Sequence, residues 1–161
     1  MTSQGDTFQV VVFRVGEYEF AFNIFQVQRI VRYQAPAALP KAAPFLEGVL
    51  QVEGAVVPII DLRKRFELPH APLGADTRIM VVEADGAAIG AVVDAVVEVL
   101  RIAADAVTPA PPVVRGLAAE YVQGVLALPS SRTVVLLHAG RLLTSKERIA
   151  LTKTGAEKTH G

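Results

Sequence analysis

The chain has 161 residues, with 16 basic and 16 acidic side chains, no cysteine and a hydrophobic fraction of 52%. Because phosphate binding requires concentrated Lys and Arg, this neutral chain is not expected to bind nucleic acid. The absence of cysteine excludes a disulfide scaffold, a cysteine zinc site and thiol catalysis. The hydrophobic fraction excludes extensive disorder, and the length suits one ordinary domain or two small ones.

The most apolar stretch, residues 86–102, does not predict a membrane span. It is interrupted by Asp94 and Glu98, and a span needs about 20 nearly uninterrupted apolar residues. The first six residues lack the basic and apolar regions of a secretory signal. We therefore expect a cytoplasmic protein that does not insert into a membrane.

Short β-branched runs between turn residues predict a mainly β protein. The predicted strands cover residues 10–15, 18–24, 55–61, 78–84 and 133–137. Gly16-Glu17 and Asp85-Gly86 are expected to form hairpin turns. Phe20, Phe22 and Ile24 share one face of the second strand, as alternation requires. Short strands at this spacing favour small barrels over alternating strands and helices.

A few short helices are also predicted. Residues 61–68 show apolar side chains at helical spacing, with Asp61 as the capping residue and Pro69 as the stop. Residues 141–151 predict a C-terminal helix with Ser145 as a capping residue, and residues 25–29 predict a single turn between strands. The basic run Arg63-Lys64-Arg65 is interpreted as a solvated helix face.

The chain contains an internal repeat. A shift of 69 positions superimposes the apolar run at residues 10–13 on that at 79–82, and a slightly larger shift places Gly48-Val49-Leu50 on Gly124-Val125-Leu126. This pattern predicts one domain over residues 7–152, made of two barrels at about 7–70 and 77–140, with flexible tails at 1–6 and 153–161. A groove between two such barrels is a favoured binding site.

The residues that carry enzymatic or metal chemistry do not form a recognisable set. His70, His138 and His160 lack the spacing of metal ligands, and the chain has neither a phosphate-binding loop nor a Gly-x-Ser-x-Gly turn. The Asp61 carboxylate is better placed to cap a helix than to catalyse a reaction. We therefore expect no catalytic residue, no metal site and no cofactor.

The order of these motifs resembles the CheW family, the coupling proteins of bacterial chemosensory arrays, over about residues 7 to 152. Two strings carry the resemblance: G-V-x-x-x-x-G-x-V-V-P-I-I-D-L-R from Gly48, and G-x-V-V-D-x-V-x-E-V-L from Gly90. The resemblance implies two intertwined five-stranded SH3-like barrels with a few short helices and no catalysis. It also implies two partners, the cytoplasmic tip of chemoreceptors and the CheW-like regulatory domain of a CheA-type histidine kinase.

A location in receptor arrays at the inner face of the membrane follows from the same resemblance. An adaptor of a non-flagellar chemosensory system, controlling surface motility or another output, is an alternative. A small-ligand-binding double barrel is a second alternative, although the predicted groove is mostly valine and alanine.

In the family, the receptor helix packs in the apolar groove between the barrels. The matching positions here are Ile24, Val27, Arg29, Ile30, Gly48, Gln51, Glu53 and Gly54. The alternative is that Ile24 and Ile30 belong to the core. The positions matching kinase-facing surfaces are Phe45, Leu46 and Val113, which the alternative interpretation makes core anchors.

The chain departs from the family pattern at two of these positions. The family turn that commonly reads Asn-Leu-Arg-Gly is Gln51-Val52-Glu53-Gly54 here, and the family segment V-x-E-I has Arg29 in place of the acid. We hypothesise that Arg29 and Glu53 face each other as an ion pair of reversed polarity, which suits partner selection better than stability. The alternative is two independent surface substitutions.

Overall fold

The computed structural model describes residues 6–40, 46–109 and 121–143. Over these ranges the chain is mainly β, as predicted, with one four-residue α-helix, α1 (Leu62–Arg65). Short 3-10 turns lie at Ile24–Gln26, Ala104–Ala106 and Ala139–Arg141. The strands are β1 (Thr7–Val15), β2 (Tyr18–Asn23), β3 (Val27–Arg32), β4 (Leu46–Val52), β5 (Ala55–Asp61), β6 (Arg78–Ala84), β7 (Ala87–Val93), β8 (Ala95–Ala103), β9 (Val107–Thr108), β10 (Val122–Leu128) and β11 (Arg132–Leu137).

The strands form two sheets that exchange hairpins between the two halves of the chain. The six-stranded sheet has the order β8-β1-β2-β11-β10-β9, and the five-stranded sheet has the order β3-β6-β7-β5-β4. The β1–β2 hairpin therefore lies among strands of the second half, and the β6–β7 hairpin among strands of the first. This confirms the intertwined arrangement. It also corrects the barrel bounds, because neither 7–70 nor 77–140 forms a sheet by itself.

The largest hydrophobic cluster lies between the two sheets, and we call it the inter-sheet core. It brings together side chains of both hairpins, including Phe13, Phe20, Phe22, Met80 and Ile89, which are fully buried. The face predicted to carry Phe20 and Phe22 is therefore a buried face. Each sheet also encloses a smaller cluster of its own side chains.

Both hairpins are consequently buried on two faces. Along β1, Val10 and Val12 point into the six-stranded sheet, whereas Val11 and Phe13 point into the inter-sheet core. A strand covered on both sides has no solvent-facing positions, so its sequence reads as a continuous apolar run. This explains the unbroken run at residues 10–13 and its repeat at 79–82.

Equivalent glycines close the two barrels. A Cβ on Gly48 would lie 2.4 Å from the carbonyl oxygen of Ala37, and a Cβ on Gly124 would lie 2.8 Å from that of Thr108. In both barrels, the chain after the third strand crosses the fourth strand at this glycine, pairing Ala37 with Val49 and Thr108 with Val125. The two Gly-Val-Leu segments that match in sequence therefore occupy equivalent positions in the two barrels.

The predicted turns and helices agree with the structure where it describes them. Asp85 and Gly86 both have positive φ (53° and 83°), as the hairpin turn between β6 and β7 requires. The helix predicted at 61–68 forms only α1, and the turn predicted at 25–29 is the 3-10 turn Ile24–Gln26. The C-terminal helix lies almost entirely outside the described residues. No helix in the described ranges is long and apolar enough to cross a membrane.

The interpretation of Arg63-Lys64-Arg65 as a solvated face holds for Lys64, whose side chain is 60% exposed, and is wrong for the partly buried Arg63 and Arg65. Each of the three side chains has a specific partner. Arg63 pairs with Asp94 (2.5 Å), whose other contact is the backbone N–H of Gly16 (2.7 Å). Lys64 pairs with Glu47, and Arg65 donates to the hydroxyl of buried Tyr121. Asp94 and Tyr121 belong to the second half of the chain, so Arg63 and Arg65 connect the two halves, whereas the Lys64–Glu47 pair lies within the first half.

Candidate functional site

An exposed aromatic side chain marks the corner between β2 and β3. Phe25 is 86% exposed, although it lies between two strands that contribute to the core. Its backbone N–H donates to Oδ1 of Asn23 at 3.0 Å, which fixes the 3-10 turn. An aromatic side chain on an ordered turn loses little conformational entropy on binding, so this corner is suited to contact another protein.

The strand that follows carries the predicted groove residues along the margin of the inter-sheet core. Ile30 lies opposite Met80 and Val27 opposite Val82 in the β3–β6 pairing, and both partners belong to that core. Ile24 and Val27 are half-buried and pack against it, whereas Ile30 is 41% exposed. The three side chains therefore continue the inter-sheet core to the surface.

Arg29 and Glu53 form the ion pair that the sequence suggested. Nη1 of Arg29 lies 2.5 Å from Oε2 of Glu53, and the two side chains are 43% and 64% exposed. Glu53 and Gly54 make the two-residue turn between β4 and β5, with φ of 46° and 85°. We call the exposed side chains of Phe25 and Ile30 the β3 surface. Arg29 precedes Ile30 on β3 and lies opposite Val81, so the Arg29–Glu53 pair is on the other face of this strand. Exposed Gln51 precedes the turn on β4.

Two predicted contact residues are buried. Gly48 lies beneath the chain at Ala37, and its contribution is to permit that close approach. Leu46 is 8% exposed at the start of β4. Neither offers a side chain to a partner in this conformation, and for Leu46 this favours the core interpretation. Phe45 and Val113 lie outside the described residues, so their proposed contact with a kinase stays a prediction.

The second barrel carries a related surface on β8. The shift of 69 that relates the halves places Ile30 on Val99, which is 50% exposed. It places Arg29 on Glu98, which pairs with Arg132 at 2.6 Å near the turn between β10 and β11. Arg132 also pairs with Glu19 on β2 at 2.6 Å, and these two carboxylates raise the pKa of its guanidinium.

The chemistry available in the described residues is that of apolar contact and paired charge. They contain no group of three or more side chains that could hold a metal ion. The Asp61 carboxylate accepts the N–H of Arg63 at 2.9 Å and caps α1, while burial raises its pKa. Burial likewise lowers the pKa of His138. Both groups lie away from the β3 surface.

Phe25 and Val99 are the contact candidates that the sequence interpretation missed. A signal for Phe25 was present, because the alternation of Phe20, Phe22 and Ile24 leaves the next apolar residue out of phase. An apolar side chain that does not follow the two-residue alternation, and that lies at a corner between strands, is not directed to the buried face. No comparable signal marks Val99, whose strand is apolar at most positions.

Comparisons with known proteins agree with this architecture. Residues 9–147 match the CheW-like domain family. The chain is 33% identical to the chemotaxis protein CheW of Klebsiella aerogenes, over 86% of this chain and 83% of that protein. It is 30% identical to the chemotaxis protein CheW of Treponema pallidum, over 91% and 88%.

A solved structure shows the same fold. The scaffolding protein TtCheW from Thermoanaerobacter tengcongensis superimposes with a TM-score of 0.80 at 29% identity, covering 87% of this chain and 90% of that one. The family match, the sequence relatives and the fold agree over nearly the whole described length. The chain therefore belongs to the CheW-like domain family.

Proposed function

We propose that this protein is a non-enzymatic adaptor that couples chemoreceptors to a CheA-type histidine kinase in a chemosensory pathway. Membership of the CheW-like family supports the proposal, as do the names of its relatives, which are chemotaxis proteins and a scaffolding protein. The adaptor works in the cytoplasm, at receptor arrays on the inner face of the membrane, without inserting into the bilayer itself.

The β3 surface is the observation that carries the receptor half of this proposal. Phe25 and Ile30 expose apolar area beside the margin of the inter-sheet core. In the Arg29–Glu53 pair, Arg29 lies at the same edge of the five-stranded sheet, on the other face of β3. An amphipathic helix binds such a surface with apolar side chains spaced one turn apart. The cytoplasmic tip of a chemoreceptor presents helices of this kind, so it is the partner assigned to the β3 surface.

The kinase half rests on family membership. The CheW-like regulatory domain of the kinase is the second partner, and Phe45 and Val113 are its predicted contacts. Two separate surfaces on one small protein allow both partners to be bound at once. An adaptor of this design needs no catalytic group, because its output is the proximity of the receptor to the kinase.

The receptor contact is tested with Phe25→Ser and Ile30→Asp in the full chain. Affinity for a cytoplasmic hairpin fragment of a chemoreceptor from the same cell is measured by isothermal titration calorimetry. Each variant is expected to weaken binding about tenfold or more, since aromatic and apolar anchors dominate such interfaces. The control is Tyr18→Ser, which removes an exposed aromatic side chain at the opposite end of β2.

Thermal unfolding separates lost binding from lost folding. Phe25 is largely solvated, so its replacement should change stability by less than about 0.5 kcal/mol. The proposal fails if the folded wild-type chain binds neither receptor fragments nor the regulatory domain of the kinase. Equal affinities for Phe25→Ser, Ile30→Asp and Tyr18→Ser would remove the β3 surface from the interface.

A further inference from the structure

Two arginines face each other on neighbouring strands without an acidic partner. Arg32 at the end of β3 lies directly opposite Arg78 at the start of β6. Like charges at opposed positions of an antiparallel pair destabilise the sheet. Among the described residues neither guanidinium has an ion pair, and Nη1 of Arg78 donates only to the carbonyls of Ala75 (2.9 Å) and Thr77 (3.0 Å).

The two arginines line an open cavity, which we call the arginine cavity. Its volume is about 410 Å³, and its lining residues are Arg32, Tyr33, Gly74, Ala75, Thr77 and Arg78. Two of these side chains are cationic and none is acidic. The loop that forms one wall is ordered by Thr77, a buried side chain whose Oγ1 accepts the N–H of Gly74 at 2.9 Å.

A second cavity has one lining residue in common with the first. It has a volume of about 300 Å³, shares Arg78, and adds Arg14 and Asp76. The Asp76 carboxylate lines the second cavity and not the first, so two cationic side chains and no acidic one line the arginine cavity. Guanidinium groups bind carboxylates and phosphates through paired N–H donors, so the cavity has the chemistry of an oxyanion site.

The position of the cavity relates it to the β3 surface. Ile30 and Arg32 lie two residues apart on β3, opposite Met80 and Arg78, so their side chains share one face of the sheet. Two residues of strand span about 6.6 Å, close to the 5.4 Å pitch of an α-helix. A helix that places an apolar side chain on Ile30 can therefore place an acidic side chain at Arg32, one turn away.

We propose that Arg32 and Arg78 bind a carboxylate of the receptor helix, carried one helical turn from the apolar residue that contacts Ile30. This inference rests on the proposed receptor-binding function. The partner is thereby defined by its pattern, an amphipathic helix whose apolar stripe is followed by Asp or Glu. Binding relieves the repulsion between the two arginines, so the unfavourable pairing in the free protein becomes favourable in the complex.

The test compares Arg32→Gln and Arg78→Gln with Arg101→Gln in the full chain. Arg101 is a matched control, because the shift of 69 places Arg32 on it, it is exposed on β8 opposite Gln9, and it lines neither cavity. Affinity for the receptor fragment is measured at low and at high salt. We expect Arg32→Gln to weaken binding about tenfold at low salt and to flatten the salt dependence, while Arg101→Gln stays within about twofold.

A double-mutant cycle identifies the partner group. Acidic residues of the receptor fragment that follow an exposed apolar residue by one turn are changed to the corresponding amide, one at a time. One such change should cost as much as Arg32→Gln and should cost nothing further in the Arg32→Gln background. Because Arg32→Gln removes a repulsion, it is expected to unfold at the same temperature as the wild type or higher, which excludes misfolding as the cause.

Three outcomes would overturn the inference. The first is equal affinity for Arg32→Gln and Arg101→Gln. The second is strictly additive effects for every acidic residue tested. The third is saturable binding of inorganic phosphate at Arg32, seen in the NMR spectrum, while receptor affinity is unchanged by phosphate and by Arg32→Gln. That result would assign the cavity to a free anion. In each of these three cases, the proposed receptor-binding function is retained if Phe25→Ser weakens receptor binding. If the wild-type chain binds no receptor, both the inference about Arg32 and Arg78 and the proposed function are overturned.

Discussion

Arg29 on β3 and Glu53 in the β4–β5 turn form an ion pair that joins the opposite edges of the five-stranded sheet. In the six-stranded sheet, Glu98 on β8 is joined to Arg132 at the start of β11. In each half, an ion pair therefore connects the third strand to the last hairpin of its barrel. The third strand carries the cation in the first barrel (Arg29) and the anion in the second (Glu98). The polarity of the Arg29–Glu53 pair is therefore not dictated by the closure of the barrel, since the same closure is made with either polarity.

Exchanging the charges of this pair should separate its structural contribution from its contribution to binding. Arg29→Glu and Glu53→Arg should each lower the free energy of unfolding by about 0.2–1 kcal/mol, because the pair is solvent-exposed. The double exchange should recover this stability while receptor affinity stays reduced, because a partner that recognises the polarity meets the wrong charges. Urea unfolding and calorimetric binding of all four proteins measure the two effects.

Additive effects on both stability and binding would contradict the pairing. Recovery of affinity together with stability would instead show that the partner requires the pair and is indifferent to its direction. Stability should be measured at low and high salt, since screening reduces the coupling between exposed charges.

Gly48 and Gly54 were both predicted as groove residues, and alanine substitutions should distinguish their roles. Gly48→Ala places a Cβ 2.4 Å from a backbone oxygen at a φ of 149°, so unfolding free energy should fall by about 3 kcal/mol. Gly54 has a φ of 85° with open space around its Cβ position, so its replacement should cost about 1 kcal/mol. Urea denaturation measures both.

The same pair of variants distinguishes folding from contact. Because Gly48 is buried, the folded fraction of Gly48→Ala should bind the receptor fragment with unchanged affinity. Gly124→Ala is the matched control, since that glycine makes the equivalent close approach in the other barrel. Equal stability losses for Gly48→Ala and Gly54→Ala would contradict the assignment of Gly48 to barrel closure.

Asp61 should make the protein less stable as pH rises from the acidic range. Burial raises its pKa in the folded state, so the folded chain binds more protons than the unfolded chain between the two pKa values. Stability is then lost as pH rises through that window, and the loss is complete above the folded-state pKa. Asp61→Asn keeps an acceptor for the N–H of Arg63 without the buried charge, and should raise the free energy of unfolding at pH 7.

The control for this prediction is Asp61→Ala, which removes the cap of α1 as well as the charge. Loss of a capping side chain costs about 1 kcal/mol, so Asp61→Ala should be less stable than Asp61→Asn at every pH. Chemical denaturation at pH 4 and pH 7 measures the difference. An Asp61→Asn protein with the wild-type pH dependence would show that another group is responsible.

Much of the fold could be predicted from local patterns. Asp85-Gly86 adopts the turn expected of it, Asp61 caps its helix, and the two Gly-Val-Leu segments occupy equivalent positions. Each of these features depends on residues close together in the chain or on a repeated pattern. The Arg29–Glu53 pair was found differently, through a resemblance in which both positions departed from the family together.

The features that could not be predicted depend on contacts between distant segments. The basic run beginning at Arg63 was expected to be solvated, but Asp94 lies 31 positions away in the chain and meets it only after folding. The opposition of Arg32 and Arg78 likewise requires the register of β3 on β6. Hydrophobic periodicity carries no information about such pairings.

The sequence by itself determined that this protein is a mainly β molecule of two related halves, with no charge excess for nucleic acid. Only the tertiary structure decided which hairpins the two halves exchange, that Phe25 is left exposed, and that two arginines share a cavity. The physical reason is that the alternation of side chains specifies which face of a strand is buried. It does not specify which strand lies opposite. The hairpins β1–β2 and β6–β7 are equivalent, so β3 and β8 could each pair with either of them.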